Sequence, residues 1–298
     1  MYKYIFLLLT LVFVQPTSAQ GLLDNSFFVF NNGVKDKQYD TLEEQMKLLL
    51  ENGYDGMEKE RLDNFDEVYR ALEKNDLNLY TIYMNINLDN PEQPYDPRLE
   101  EVFLKIAGSG AMPWLYVTSE EYPPSSSEFD SVAVPILQKV ADIAQQYGIK
   151  VMLYPHMYFW VESAEDAIRV AEKVNRRNLG MTFNLCHYLA HKNRAGIDPW
   201  VPLDTLVQQA MPYLFALSLN GADAQAADQE NIWASFIQPL GDGDFDTYRF
   251  LTSFLDRGFE GPVGLQCYNI KEDKAVHLRR SMQTWKTYQK RYAEEAQR

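Results

Sequence analysis

From residue 26 onward the chain repeats one pattern: a short apolar run, then a longer stretch in which apolar positions return every three or four residues. The short runs fall at 27–30, 55–58, 77–83, 114–117, 150–154, 180–183, 214–219 and 263–266, lengths that suit buried strands. The longer stretches predict helices. One opens at Thr41, where Glu44 completes capping-box spacing ahead of Met46, Leu49 and Leu50. Another opens at Ser163 and carries Ala167, Val170, Ala171 and Val174, and the last runs from about 273 to 292. Alternation this regular implies parallel strands joined by helical crossovers.

Loop lengths favour closure of the sheet. Helix-to-strand connections are brief and hold Gly or Asn, at Asn52-Gly53, Asn75-Asp76, Tyr147-Gly148 and Arg257-Gly258; strand-to-helix connections at 85–97, 119–129, 190–202 and 221–244 are long. Long loops at the C-terminal strand ends mark the functional face of a (β/α)8 barrel. The expected fold class is therefore α/β, a single-domain TIM barrel over 22–292 with a C-terminal tail at 293–298. An open doubly wound sheet is the alternative, but Asn31-Asn32-Gly33 after the first strand is not its G-x-G-x-x-G phosphate loop.

Ahead of the barrel, 1–19 reads as a cleaved signal peptide: Lys3, an apolar stretch from Ile5 to Val14, then Thr17-Ser18-Ala19 before Gln20. That stretch is too short to span a bilayer. The expected product is extracytoplasmic, periplasmic or secreted, and free of the membrane after cleavage; a retained signal anchor is the alternative.

Charge narrows the partners. With 28 basic and 42 acidic side chains the formal net charge is −14, which repels polyanions and argues against nucleic acid. Two cysteines, Cys186 and Cys267, are too few for a disulfide scaffold, and strand alternation turns them apart.

Period two along the strands puts Met152, Tyr154 and His156 on one face, and likewise Thr182 with Asn184, Ser218 with Asn220, and Gly264 with Gln266. Polar residues near strand ends, in an interior otherwise packed by apolar layers, make a ligand site. The ionisable residues close to that face are His156, His187, Asp223 and Glu58. Histidine exchanges protons near neutrality, so His156 and His187 are candidate base and acid; an orienting hydrogen bond is the other role open to each. Glu58 is a third catalytic candidate, or else the partner of Lys59 or Arg61. Aromatics at Tyr83, Trp114, Tyr116, Tyr158, Phe159, Trp160 and Tyr268 offer surfaces for the apolar faces of pyranose rings, with Trp160 expected to contact substrate. His191, in an expected loop, and His277, in the last helix, read as surface residues.

Four segments carry a family resemblance: Gly53-Tyr54-Asp55-Gly56-Met57-Glu58, Asn184 with His187 three residues on, Leu240-Gly241-Asp242-Gly243-Asp244-Phe245-Asp246, and Gly258 through Gln266. In order and spacing they resemble the xylose-isomerase-like TIM-barrel family of sugar isomerases and epimerases. The resemblance implies that strands five to eight end in metal-binding carboxylates and a histidine. Here those positions are Tyr154, Asn184, Asn220 and Gln266, none anionic at neutral pH. Amides contribute no charge to offset the desolvation of a divalent ion. A neutral ring of donors and acceptors suits sugar hydroxyls instead, with Asp223 beside it.

The expected function is an exported carbohydrate-active enzyme of isomerase or epimerase type, moving a proton next to a sugar carbonyl without the usual metal. Its partner is a small-molecule saccharide. A non-catalytic sugar-binding barrel and a lyase on an oxidised (keto) sugar are the alternatives. For the cofactor, the alternative is a divalent metal at a displaced site of His156, His187 and Asp223.

Overall fold

The computed structural model of the chain describes residues 23–297. The expected signal peptide, 1–19, lies outside them. Strands β1 (Phe27–Val29), β2 (Gly56–Lys59), β3 (Asn78–Asn87), β4 (Trp114–Thr118), β5 (Val151–Leu153), β6 (Leu179–Asn184), β7 (Leu214–Leu219) and β8 (Val263–Leu265) pair in parallel and in chain order, and β8 closes on β1. Around them lie α1 (Leu42–Asn52), α2 (Phe65–Lys74), α3 (Leu99–Ile106), α4 (Asp130–Gln146), α5 (Ala164–Val174), α6 (Leu185–Ala195), α7 (Trp200–Ala210), α8 (Ile232–Phe236), α9 (Thr247–Leu255) and α10 (Lys274–Ala296). This is the single-domain TIM barrel expected from the apolar pattern. No helix among the described residues is long and apolar enough to cross a membrane.

The local signals act where the sequence puts them. Thr41 Oγ1 accepts the Glu44 N–H at 3.3 Å while the Glu44 carboxylate accepts the Thr41 N–H at 3.0 Å, and Ser163 and Asp166 do the same for α5. Each such cap satisfies N–H groups that the first helical turn leaves free, worth about 1 kcal/mol.

Three segments differ from expectation. Residues 85–87, expected in a loop, extend β3, because Tyr83 to Asn87 find ladder partners in Trp114 to Thr118. Residues 190–195, also expected in a loop, belong to α6, which starts directly after β6 so that its apolar face packs on the barrel. At the C-terminus α10 runs to Ala296, past the expected end at 292, and an Arg291 to Glu295 pair at 2.9 Å spans its last turn.

Inside the barrel the packing is lopsided. Phe28, Phe30, Trp114, Met152 and Tyr154 cluster with Tyr80, Tyr83 and Tyr116, all from β1, β3, β4 and β5 or the residues flanking them. Small residues face them. A Cβ on Gly264 would meet the rings of Phe28 and Phe30 at 2.6 Å each, so β8 must carry glycine for the aromatic half to fit. Tyr80 and Tyr83, three residues apart, both reach this interior cluster although strand periodicity is two. The β2–β3 register shift between Met57 and Glu58 accounts for it, since Met57 pairs with Leu79 but Glu58 with Thr81. The bulge brings Tyr83 to the mouth of the barrel.

Candidate functional site

The C-terminal mouth of the barrel opens into a cavity of about 470 Å³. Of the sequence-derived candidates, Glu58, Tyr154, His156, His187 and Gln266 line it together. Tyr83, Tyr158 and Tyr268 add aromatic walls; Phe30, Asn32, Glu60, Trp233 and Ile237 complete it. No lysine or arginine lines this cavity.

His156 follows β5 in a tight turn, in which its N–H donates to Val161 O at 3.1 Å and its carbonyl accepts the Phe159 N–H at 2.9 Å. Phe159 stacks on its ring, with centroids 4.0 Å apart. His187 stands in the first turn of α6, its ring centroid 4.1 Å from that of His156. One peptide segment orients both rings. The Nδ1 of His156 lies 2.8 Å from the Met157 carbonyl, an acceptor only, so this Nδ1 carries the proton and Nε2 is left as a base. The Nδ1 of His187 accepts the Met157 N–H at 3.4 Å, so its proton sits on Nε2, which is a donor. The two imidazoles are thus held in opposite tautomers. Burial keeps both neutral, pushing His156 down to about 4 and His187 well below its ordinary range, with the nearness of His156 acting in the same direction on His187.

Glu58 lies across the cavity on β2. Burial raises its carboxyl to about 8, against the pull of the Asn31 N–H, which donates to Oε2 at 3.0 Å. Below that pH it is a neutral acid able to donate. Burial also lifts the Tyr154 hydroxyl well above the usual phenol range, so it too remains protonated. Its ring stands edge-on to Tyr83 at 5.0 Å and to His187 at 5.8 Å.

Four candidates for substrate contact do something else. Asn184 is buried and donates from Nδ2 to Pro155 O at 2.8 Å, holding the peptide ahead of His156. Asn220, fully buried, donates to Gly221 O and Phe236 O and so fixes α8, from which Trp233 reaches the cavity. Asp223 accepts from Gln238 Nε2 at 2.9 Å away from the cavity lining. Trp160 does not line the cavity. It is buried, bonded through Nε1 to Ser126 Oγ at 3.2 Å and through its N–H to Val117 O at 2.9 Å, and it anchors the loop that carries His156. None of the four lines the cavity, and each is bonded to at least one group 15 or more residues away in the chain.

The surface expectation for two histidines is corrected as well. His191 is half-buried within α6, and His277 is fully buried where α10 packs on the barrel, its ring pushed down to about 4 by burial. Cys186 and Cys267 are free, buried thiols, each pushed up to about 12.

The donors present do not fit a hard divalent ion. Gln266 Oε1 already receives N–H groups from Asn32, Cys267 and Tyr268, and Asn184 Oδ1 receives the Thr182 hydroxyl. Asn220 keeps an unpartnered Oδ1, but that oxygen brings no charge. Among the described residues no three His, Cys, Asp or Glu side chains are grouped to hold a metal, the displaced set of His156, His187 and Asp223 included.

Sequence reasoning missed Asn32, Glu60, Trp233, Phe30 and Ile237. Asn32 directly follows the first strand, so the strand-end rule that found Gln266 would have found it. Trp233 carried no such signal, since its place over the mouth depends on how a long loop folds.

Known proteins give the following likenesses. The family model described as xylose isomerase-like TIM barrel matches residues 46–288. The inosose isomerase of Bacillus subtilis (strain 168) is 22% identical over 147 residues, 47% of this chain and 48% of that protein, so the match spans about half the length of this curated relative. Among solved structures, an L-ribulose 3-epimerase superposes with a TM-score of 0.69 at 12% identity, covering 92% of this chain and 97% of that one. A 3-keto-D-glucoside 4-epimerase from E. coli gives 0.67 at 15% identity, covering 88% and 99%. At such identities these structures speak to the fold.

Proposed function

The chain belongs to the xylose isomerase-like TIM barrel family, and on that premise we propose that it is a carbohydrate-modifying enzyme that moves a proton at the carbon beside a saccharide carbonyl without a metal ion. The observation that carries this reading is the pair of neutral imidazoles held in opposite tautomers by Met157 at one cavity wall. The sugar epimerases and isomerase named among its likenesses support the substrate class. So does the cavity itself: aromatic walls, hydroxyl, amide and imidazole groups, and no cation to favour a phosphorylated ligand.

In this mechanism His156 Nε2 takes the proton from carbon, and the C–H electrons pass through the new C=C bond to leave an enediolate oxygen. His187 Nε2–H, the Tyr154 hydroxyl and the protonated Glu58 carboxyl are the donors toward that oxygen. An imidazole buried this deeply is a weak base in the empty site. Its strength grows as the enediolate forms, because the developing anion stabilises the imidazolium beside it. Return of the proton from the His156 imidazolium to the neighbouring carbon isomerises the sugar; delivery of a proton to the opposite face by a donor other than His156, with the imidazolium losing its own proton to solvent, epimerises it. The reading includes export directed by residues 1–19.

The test is to incubate the protein in D₂O with keto sugars and follow deuterium at the carbon beside the carbonyl by mass spectrometry. Incorporation is expected; a saturable ligand that never gains deuterium would reduce the protein to a sugar-binding barrel. Glu58 adds a pH signature. Its carboxyl donates while protonated and loses that ability as pH rises through about 8, so turnover is expected to fall along this limb. Glu58→Gln, which remains a donor at every pH, is expected to keep most activity and lose the limb. A limb unchanged in that variant would assign it to another group.

A further inference from the structure

Beside the mouth lies a second cavity of about 460 Å³, between the loops that follow β1 and β2, and Glu60 lines both openings. Its walls differ in kind. The first cavity is aromatic and free of cations, whereas this one is edged by Lys35, Lys59 and Arg61 facing Asp40, Asp63 and Glu67.

Lys59 distinguishes this cavity from an ordinary surface groove. Alternation along β2 sends Glu58 into the barrel and Lys59 the other way, toward the helical layer, where it is only 6% exposed. Among the described residues its ammonium has neither a hydrogen bond nor an ion pair within 4.0 Å. Burial lowers its pKa, while the more distant carboxylates of Asp63, Glu60 and Glu58 favour the charge. The stem of Lys59 is buried, while its ammonium, without a protein acceptor, keeps contact with the open space of this cavity. An oxygen-bearing ligand would supply the acceptors.

The surrounding charges identify the kind of ligand. Asp40 lies 3.7 Å from Lys35 and Asp63 3.7 Å from Arg98, and Glu60 and Glu67 match Lys59 and Arg61 in number, so no excess of positive charge is left to select an anion. Cationic donors and carboxylate acceptors on facing walls suit hydroxyl groups, each of which both donates and accepts, and hydrogen bonds to charged partners are the stronger kind.

We infer that this cavity is a second saccharide subsite, so that the substrate is a glycoside of at least two rings: the reacting ring in the aromatic cavity, its neighbour hydrogen-bonded to Lys59. The inference rests on the carbohydrate reading proposed above and adds the size of the substrate to it. Glu60, at the junction, stands where the linkage between rings would pass.

The experiment is calorimetric titration of the full mature chain with matched probes, glucose against cellobiose, maltose and trehalose, and galactose against lactose. At least one disaccharide is expected to bind about 10-fold or more tightly than its monosaccharide, the gain of one charge-assisted hydrogen bond. Lys59→Met is expected to abolish that gain and leave monosaccharide affinity unchanged. Arg61→Ala, an exposed position at which folding is not at stake, is expected to reduce the gain at an unchanged melting temperature. Equal affinities within every pair, or equal weakening of both sugars by Lys59→Met, would overturn the subsite while leaving the proton-transfer reading intact. Binding of neither class would overturn the subsite, while the proton-transfer reading stands or falls on deuterium incorporation with keto sugars.

Discussion

Replacing His156 with Gln is expected to lower kcat by roughly 10²–10⁴-fold, the usual contribution of a positioned general base. The amide retains hydrogen-bonding capacity but has no basic nitrogen at the Nε2 position. His187→Gln is expected to cost roughly 10²-fold, because it removes one donor toward the developing oxyanion and leaves the base in place. The double variant should resemble His156→Gln alone, since residues that act in one step are not additive. Deuterium incorporation in D₂O separates the two roles, and undiminished exchange in His156→Gln would refute the assignment of the base. A pH profile adds a second check. Burial holds His156 near 4, so wild-type activity is expected to persist through pH 6.5, where an ordinary histidine would be half protonated, and to decline only on approach to about 4.

The second large effect is expected from a residue that does not reach the cavity lining. Glu162 is buried, with its side chain 3% exposed, and Arg194 pairs with both of its oxygens at 2.8 and 2.6 Å. The same carboxylate accepts the Tyr158 N–H at 2.8 Å and so stabilises a residue with φ of 74°, a conformation that L side chains rarely adopt. Met157, which sets the two tautomers, is its neighbour. Arg194→Ala leaves a buried carboxylate with one peptide donor, and is expected to cost about 3 kcal/mol, the lower end for a broken buried pair because Arg194 itself is half exposed. Urea denaturation measures the loss. At a temperature where the variant is still folded, kcat is expected to fall more than KM rises, since the loop orients catalytic groups more than it binds. Arg194→Lys, which keeps the charge without the fork, should recover part of both losses. Wild-type stability in Arg194→Ala would show that the pair contributes nothing.

The candidate site was partly legible in the chain. Glu58, Tyr154, His156 and Gln266 were found because strand ends and period two are enough to say which residues face inward at the mouth, and His187 because it follows Asn184 by three residues, as the family resemblance implied. The same rule selected Asn184 and Asn220, which do face inward, yet their amides turn to carbonyls of Pro155 and Phe236. Trp160 was chosen for its chemistry as a stacking surface, and that chemistry is spent on Ser126 and the barrel wall. The loop at 190–195 proved helical because a helix can begin directly at a strand end, leaving no loop signal to read.

The sequence by itself determined the barrel. Apolar runs of strand length, capping boxes at Thr41 and Ser163 and glycines at helix ends act within a few residues, so they can be read in order along the chain. It also determined that the ends of strands five to eight carry Tyr154, Asn184, Asn220 and Gln266, side chains without charge at neutral pH. The tertiary structure alone decided the protonation of the ionisable groups around them. The neutral carboxyl of Glu58 and the neutral rings of His156 and His187 follow from burial by residues far away in the chain, and the tautomer of His187 follows from a peptide N–H thirty residues before it. Burial and long-range hydrogen bonds set proton positions, and no local pattern encodes them.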